Sequence, residues 1–327
     1  MGVSFTLLLT VGLLTRSFVR RDNNCRSFLT KLSFQTKNRH ELQTASKEEA
    51  FMTGLRMTFF SLCLLAAAAV NATAQTNDIV TTREMSDINW MEFKDVVPSK
   101  INTVILPTGT LEPHGVINNG ADITAPVAIA RKIAREVNAL IAPIIPYGIT
   151  GSMDAYPGAF SISEAAYRAY VKDVLAGLAK NGFRNLIIIN GHGGPQTAVL
   201  NAMAMEVGQE KRIRTLVINW WSYASDVTLA VFGEDGGHAG WNETAFVQAI
   251  DPKLVHQDRY SNDLTTPNPA PGTYSAYPSP SSIGLYKEGQ GYVKFDQKKA
   301  DEYFTKVTEK VARLILDTRR KWDMAGL

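Results

Sequence analysis

Four residues, Leu186-Ile-Ile-Ile189, run without a polar interruption into Asn190-Gly-His-Gly-Gly194. A strand that is apolar at every position is buried on both faces, which points to a sheet covered on both sides. The pattern recurs. Val104-Ile-Leu106 and residues 140–145 read as short buried strands, and Leu216-Val-Ile218 runs into Trp220-Trp221. Helical patterns separate them. Residues 123–137 form one, with Pro126 placed in the first turn, where its missing N–H costs little. Residues 161–181 form the next. Ser161 and Glu164 resemble a capping box, Tyr167, Tyr170, Val171, Val174, Leu175 and Leu178 supply the apolar face, and Gly182 stops it. Residues 196–207 form a third, another starts near Asn242, 264–282 read as a Pro- and Ser-rich loop, and 298–321 as an amphipathic helix. Alternating strands and helices predict an α/β fold, a layered parallel-sheet core flanked by helices on both faces, with ligands beyond the carboxyl ends of the strands.

The pattern begins only near Asn102, and the first 74 residues have another character. Arg56 precedes an apolar run, 58–70, followed by Asn71-Ala-Thr-Ala-Gln75. A basic start, a short apolar stretch and an Ala-x-Ala site read as a secretory signal peptide, too short for a comfortable membrane span. Met52 and Met57 each offer a start, which would make 1–51 a gene-model extension; the apolar stretch 5–14 leaves a longer natural leader as the alternative. The expectation is a leader over 1–74 and a single catalytic domain over 75–327, periplasmic or secreted, with no membrane attachment after cleavage. The leader holds nine Lys or Arg against four Asp or Glu, whereas 75–327 holds 25 against 27, a net −2. The mature part therefore carries no electrostatic signature of a nucleic-acid partner. Both cysteines, Cys25 and Cys63, fall in the leader, so the domain forms no disulfide.

Histidine is scarce, and three of the four in 75–327 sit beside glycine: Pro113-His-Gly115, Gly191-His-Gly193 and Gly237-His-Ala239. Glycine permits tight turns and close backbone approach, settings that a structural histidine has no reason to prefer. Glu112 and His114, two apart, point to one side of an extended segment. Asp122 opens a helix, where a simple N-cap is the plain alternative. Glu243 lies five residues after His238. Mixed imidazole and carboxylate donors suit zinc foremost, with manganese or iron as alternatives. Two imidazoles and three carboxylates exceed the need of one tetrahedral ion, which favours two divalent ions sharing a carboxylate. Such a pair makes a bridging hydroxide nucleophile that attacks a carbonyl carbon. His238 is the candidate proton shuttle to the leaving amine.

These segments resemble the creatininase (creatinine amidohydrolase) family. Leu106-Pro-Thr-Gly-Thr-Leu-Glu-Pro-His-Gly115 is similar to its first metal motif, Tyr156-Pro-Gly158 to its central turn, Asn190-Gly-His192 to its Asn-Gly-His motif, and Gly237-His-Ala-Gly-Trp-Asn-Glu-Thr244 to its His-Ala-Gly-x-x-Glu-Thr segment. The resemblance implies a creatininase-like fold, a dinuclear metal site, hydrolysis of a small cyclic or linear amide, and assembly as a homohexamer. It matches Glu112, His114, Asp122 and His192 to metal ligands, Asp122 as the bridge, and His238 to the catalytic histidine. The sequence also departs from the family. Gly194 stands where creatininases carry a ligand Glu, so Glu243 is taken as the fifth ligand. The spacing from His114 to Asp122 is one residue short, Ala159 replaces a Thr, and Trp241 replaces a frequent Glu. These departures argue against creatinine itself as the substrate.

Trp220 and Trp221, directly after a strand, are candidates for a substrate-stacking wall, with core packing as the equal alternative. Tyr156 is a candidate to line the same pocket. Asp154, Glu234, Asp235 and His256 read as surface residues, and the basic run 319–321 as a helix end favoured by the dipole. Two other functions stay open at this level: a lactonase using the same site, and an exported metal- or solute-binding protein without turnover.

Overall fold

A computed structural model describes residues 80–267, 273–280, 283–285 and 291–327. The expected signal peptide, both cysteines and part of the Pro- and Ser-rich loop lie outside these residues. Four strands form a fully parallel sheet in the order β2-β1-β3-β4: β1 (Thr103–Thr108), β2 (Ala139–Ile141), β3 (Asn185–Asn190) and β4 (Arg214–Asn219). Successive side chains alternate between the faces, and both faces are covered. Val104, Leu106, Leu186 and Ile188 enter one apolar cluster with α1 (Trp90–Val96), α3 (Glu164–Lys180) and α4 (Gly194–Lys211). Ile105, Ile187 and Ile189 enter the other, with α2 (Ala121–Ile133) and, further along the chain, α5 (Trp220–Tyr223), α6 (Ser225–Phe232), α7 (Trp241–Ile250) and α8 (Gln297–Met324). Double coverage explains why these strands are apolar throughout.

The strand order makes the site. From β1 the chain crosses through α2 to β2 at one edge, then returns through α3 to β3 on the other side of β1. The sheet therefore has a switch point between the carboxyl ends of β1 and β3, where crevices form in open α/β sheets. The apolar runs end there in a polar row in register, Thr108, Asn190 and Asn219. Thr108 Oγ1 donates to Asn190 Oδ1 at 3.2 Å and Asn190 Nδ2 to Asn219 Oδ1 at 2.8 Å.

Several local expectations are corrected. The N-cap of α3 is Ser163, whose hydroxyl accepts from Ala166 N–H, while Ser161 Oγ accepts from Thr150 N–H, so Ser161 and Glu164 form no capping box. Tyr170 is half exposed rather than part of the buried face. The helix α2 starts two residues early, with Gly120 at its N-cap, so Asp122 is not a cap. Pro126 then lies inside α2, not in its first turn. It removes the N–H that would bond the Asp122 carbonyl, four residues back. The same carbonyl is closely approached by two glycines: a Cβ added to Gly191 would fall 1.9 Å from it, and one added to Gly109 2.4 Å. Asp122 is thus wedged between the ends of β1 and β3. The loop after Leu264 includes a short parallel pair, β5 (Thr265–Pro267) with β6 (Ile283–Leu285). Among the described residues no helix is long and apolar enough to cross a membrane.

Candidate metal centre

Three stretches of chain deliver the cluster. Glu112 and His114 follow β1, His192 follows β3, and Asp122 enters from the first turn of α2. The short spacing between His114 and Asp122 is absorbed in a closed loop: Glu112 N–H donates to Asn119 O at 3.0 Å, and Asn118 Nδ2 to Thr124 Oγ1 at 3.1 Å. A fourth stretch, the loop 236–240 and the start of α7, brings His238 and Glu243. Asn242 Oδ1 accepts from Gly237 N–H at 2.8 Å, and Glu243 Oε2 from Ala239 N–H at 2.6 Å.

All six predicted catalytic and metal residues converge. Their donor atoms form three overlapping groups able to hold an ion: Glu112, Asp122 and His192; His114, Asp122 and Glu243; and Glu112, His114 and His238. Asp122 Oδ2 lies 2.9 Å from His192 Nδ1, and its Oδ1 3.1 Å from His114 Nε2. Glu112 Oε1 is 3.1 Å from His192 Nδ1, and Glu243 Oε2 is 3.5 Å from His114 Nε2. Each imidazole also has one ring nitrogen against a backbone carbonyl. His114 Nδ1 meets Glu112 O at 3.0 Å, His192 Nε2 meets Ile149 O at 3.0 Å, and His238 Nε2 meets Pro113 O at 2.7 Å. A carbonyl only accepts, so those nitrogens carry the protons and the other three, all aimed into the cluster, keep lone pairs for a cation.

The electrostatics suit a bound cation. Burial alone would lower the His114 imidazole, but Asp122, Glu243 and Glu112 raise it to about 10. Burial is likewise outweighed at His192, which Glu112 and Asp122 hold well above the usual histidine range. Burial would raise the Asp122 carboxyl, yet His114 and His192 hold it far below the usual range. Burial pushes Glu243 up to about 7, helped by the charges of Asp122 and Glu112 and opposed by His114. At His238, burial and the neighbouring His114 push the imidazole down to about 4. Three carboxylates this close and this dry need positive charge among them, supplied either by protons or by metal. Among the described residues, Glu112 Oε2 and His114 Nε2 are buried without a hydrogen-bond partner, as expected of atoms reserved for an ion.

The cluster forms one wall of a cavity of about 610 Å³, with Met153, Gly193, Gly194, Trp221, Ser222, Ser225 and Leu229 around it. This volume suits a small molecule. The tryptophan pair divides. Trp221 lines the cavity, whereas Trp220 is 1% exposed and packs on Phe246 at 4.5 Å between ring centres, so it is a core residue and not a wall. Tyr156 is not part of the wall among the described residues; its hydroxyl donates to Ser279 O at 2.8 Å and fastens a loop. Glu234 accepts from Trp241 Nε1 at 2.6 Å, and Trp241 stacks on Phe232 in the core. Asp235, read as surface, lines the cavity, and His256 is exposed. Sequence reasoning missed Gln196 and read Asn190 only as part of a motif, though both are buried amides bonded around His192; Asn190 ends an apolar run, whereas Gln196, in the first turn of α4, carried no such signal.

The family model for creatininase (creatinine amidohydrolase) matches residues 86–315. The chain belongs to the creatininase family. Membership places it among metal-dependent hydrolases. It is 26% identical to a creatinine amidohydrolase of Pseudomonas putida over 223 residues, 59% of this chain and 86% of that protein. It is 28% identical to a mycofactocin precursor peptide peptidase of Mycobacterium ulcerans over 183 residues, 52% of this chain and 67% of that one. A 3-dehydro-scyllo-inosose hydrolase of Thermotoga maritima is also 28% identical, over 47% of this chain and 52% of that protein. Among solved structures, a creatininase described as the Mn form superposes with a TM-score of 0.62 at 23% identity, covering 72% of this chain and 98% of that one. The parallel sheet flanked by helices is thus the creatininase fold, as expected.

This creatininase-family chain has a Gly at 194, at φ +58°, and a Cβ there would meet nothing within 4 Å. The space is open, and the carboxylate beside His114 comes from Glu243 on α7 instead. Glu243→Ala is therefore expected to lower the metal held per chain. Unchanged metal content would remove Glu243 from the site.

Proposed function

We propose that the chain is an exported hydrolase of a small cyclic or linear amide, working with two divalent ions. The observation that carries this is the pair of donor triads meeting at Asp122: Glu112, Asp122 and His192 on one side, His114, Asp122 and Glu243 on the other. Zinc fits this donor set, and manganese or iron also suit it. When bound, such ions supply an activated water and polarise the carbonyl under attack. The protein's own residues do the rest. Trp221 offers a flat apolar wall to the substrate, and the glycines at 193 and 194 leave room beside it. His238, with its Nε2–H donated to Pro113 O, presents the Nδ1 lone pair to the cluster, 3.5 Å from Glu112 Oε1, where it takes up the proton that the attacking water releases and returns it to the leaving nitrogen. Export is supported by the leader over residues 56–74, and a homohexamer by family habit.

The relatives frame the substrate. They are a creatinine amidohydrolase, a precursor peptide peptidase and a 3-dehydro-scyllo-inosose hydrolase, so membership of the family leaves the substrate open. The open position at Gly194 and the core role of Trp241 support a substrate other than creatinine. The deciding measurement is metal per chain in protein produced from Gln75 onward without chelator. About two equivalents of zinc, manganese or iron are expected. None, even after incubation with each ion, would overturn the proposal.

A further inference from the structure

We infer that Gln196 is a positioning residue for the metal centre: it holds the Ile149 carbonyl that fixes which nitrogen of His192 faces the ion. The inference rests on the metal reading above and concerns the triad of Glu112, Asp122 and His192.

The three cluster histidines take their backbone acceptors from different places. His114 and His238 use the carbonyls of Glu112 and Pro113, which belong to the ligand segment itself. His192 uses Ile149, 43 residues earlier, in a loop that contributes no ligand. That acceptor needs an anchor of its own, and Gln196 provides it. Its Oε1 accepts from Ile149 N–H at 3.2 Å, and its Nε2 donates to Asn190 Oδ1 at 3.1 Å. Asn190 Oδ1 also accepts from His192 N–H at 3.2 Å, and Asn190 Nδ2 donates to His192 O at 2.6 Å.

The contacts therefore close a ring: His192 main chain, Asn190, Gln196, Ile149, and back to the His192 imidazole. Gln196 is 0% exposed, so each of its amide contacts is made without competition from water. Gly148 is part of the same fit, since a Cβ there would fall 1.7 Å from Gln196 Oε1. With its Nε2 proton committed to Ile149 O, His192 presents the Nδ1 lone pair between Asp122 Oδ2 and Glu112 Oε1. In the other tautomer Nδ1 carries the proton, and no lone pair faces the two carboxylates. Partners behind a ligand histidine typically set metal affinity by about 10–100-fold.

The test uses the full chain loaded with zinc. Long-range ¹H–¹⁵N spectra of its histidines should show His192 protonated at Nε2; a proton on Nδ1 would overturn the inference without any variant. Gln196→Met, similar in volume but unable to donate or to accept strongly, should weaken one of two zinc sites by about 10–100-fold in competition with a chromophoric chelator and leave the other near wild type. Gln196→Glu, which keeps an acceptor for Ile149 N–H, should hold zinc more tightly than Gln196→Met. A merely structural glutamine would lower thermal stability while both zinc affinities and the His192 pattern stayed fixed, and that result would also overturn the inference. Wild-type protein that takes up none of zinc, manganese and iron would instead refute the metal reading itself.

Discussion

Asp122→Ala is expected to leave the protein unable to hold either ion of the proposed pair, and to lower the proposed amidase rate by at least about 10³-fold, or about 4 kcal/mol of transition-state stabilisation. The two carboxylate oxygens are divided between the two halves of the cluster, Oδ1 at 3.1 Å from His114 Nε2 and Oδ2 at 2.9 Å from His192 Nδ1. Removing the side chain leaves Glu112 with His192 and His114 with Glu243, two donors for each ion, fewer than the three protein donors of a catalytic zinc site. The backbone should survive the change. Asp122 is held by close approach of Gly109 and Gly191 to its carbonyl, which alanine retains. The comparison with Glu243→Ala is the sharp part. That variant should fall from two ions to one, whereas Asp122→Ala should fall to none, measured by elemental analysis on matched preparations. If Asp122→Ala kept one full equivalent, the shared-carboxylate arrangement would be wrong.

The sheet was legible because its strands answer to one strong constraint. A strand covered on both faces is apolar at each position, and Leu186-Ile-Ile-Ile189, β-branched at three of four positions and closed by Asn190-Gly191, fits that constraint. The ligands were legible because their glycine neighbours are required by contact: Gly191 has no room for a Cβ against the Asp122 carbonyl. What failed were choices between adjacent residues. Trp220 and Trp221 are both large, apolar and next to the strand end, and only the direction in which β4 hands over to the next turn sends the first into the core and the second to the cavity. Ser161 and Ser163 both offer a hydroxyl near the start of α3, and the cap went to the one nearer the helix because Ser161 was needed by Thr150 N–H. Pro126 was misplaced because α2 begins two residues earlier than its apolar pattern, with a buried carboxylate that no hydrophobic period can announce. Gln196 and the partners of Asn190 went unread for the same reason: a buried amide is defined by its partners, and these include residues 47 and 82 positions away as well as near neighbours.

His238→Ala is expected to keep both ions and lose about 10²–10⁴-fold in kcat, with little change in KM, because its part is played while a proton moves and not when substrate binds. The loop that carries it has independent anchors, the Asn242 bond to Gly237 N–H and the Glu243 bond to Ala239 N–H, so a truncated side chain at 238 leaves the loop in place. The same geometry offers a rival role. With Glu112 and His114, His238 completes a third group of donors close enough to hold an ion, and its ring lies 4.5 Å from that of His114. The two roles separate cleanly in one variant. A shuttle removed leaves metal content at the wild-type value while turnover collapses. A ligand removed takes an ion with it, and added zinc restores part of the activity. Metal loss in His238→Ala would therefore move His238 from proton transfer to coordination and leave the leaving nitrogen in need of another proton source, for which Asp235, on the same cavity wall, is the next side chain to change.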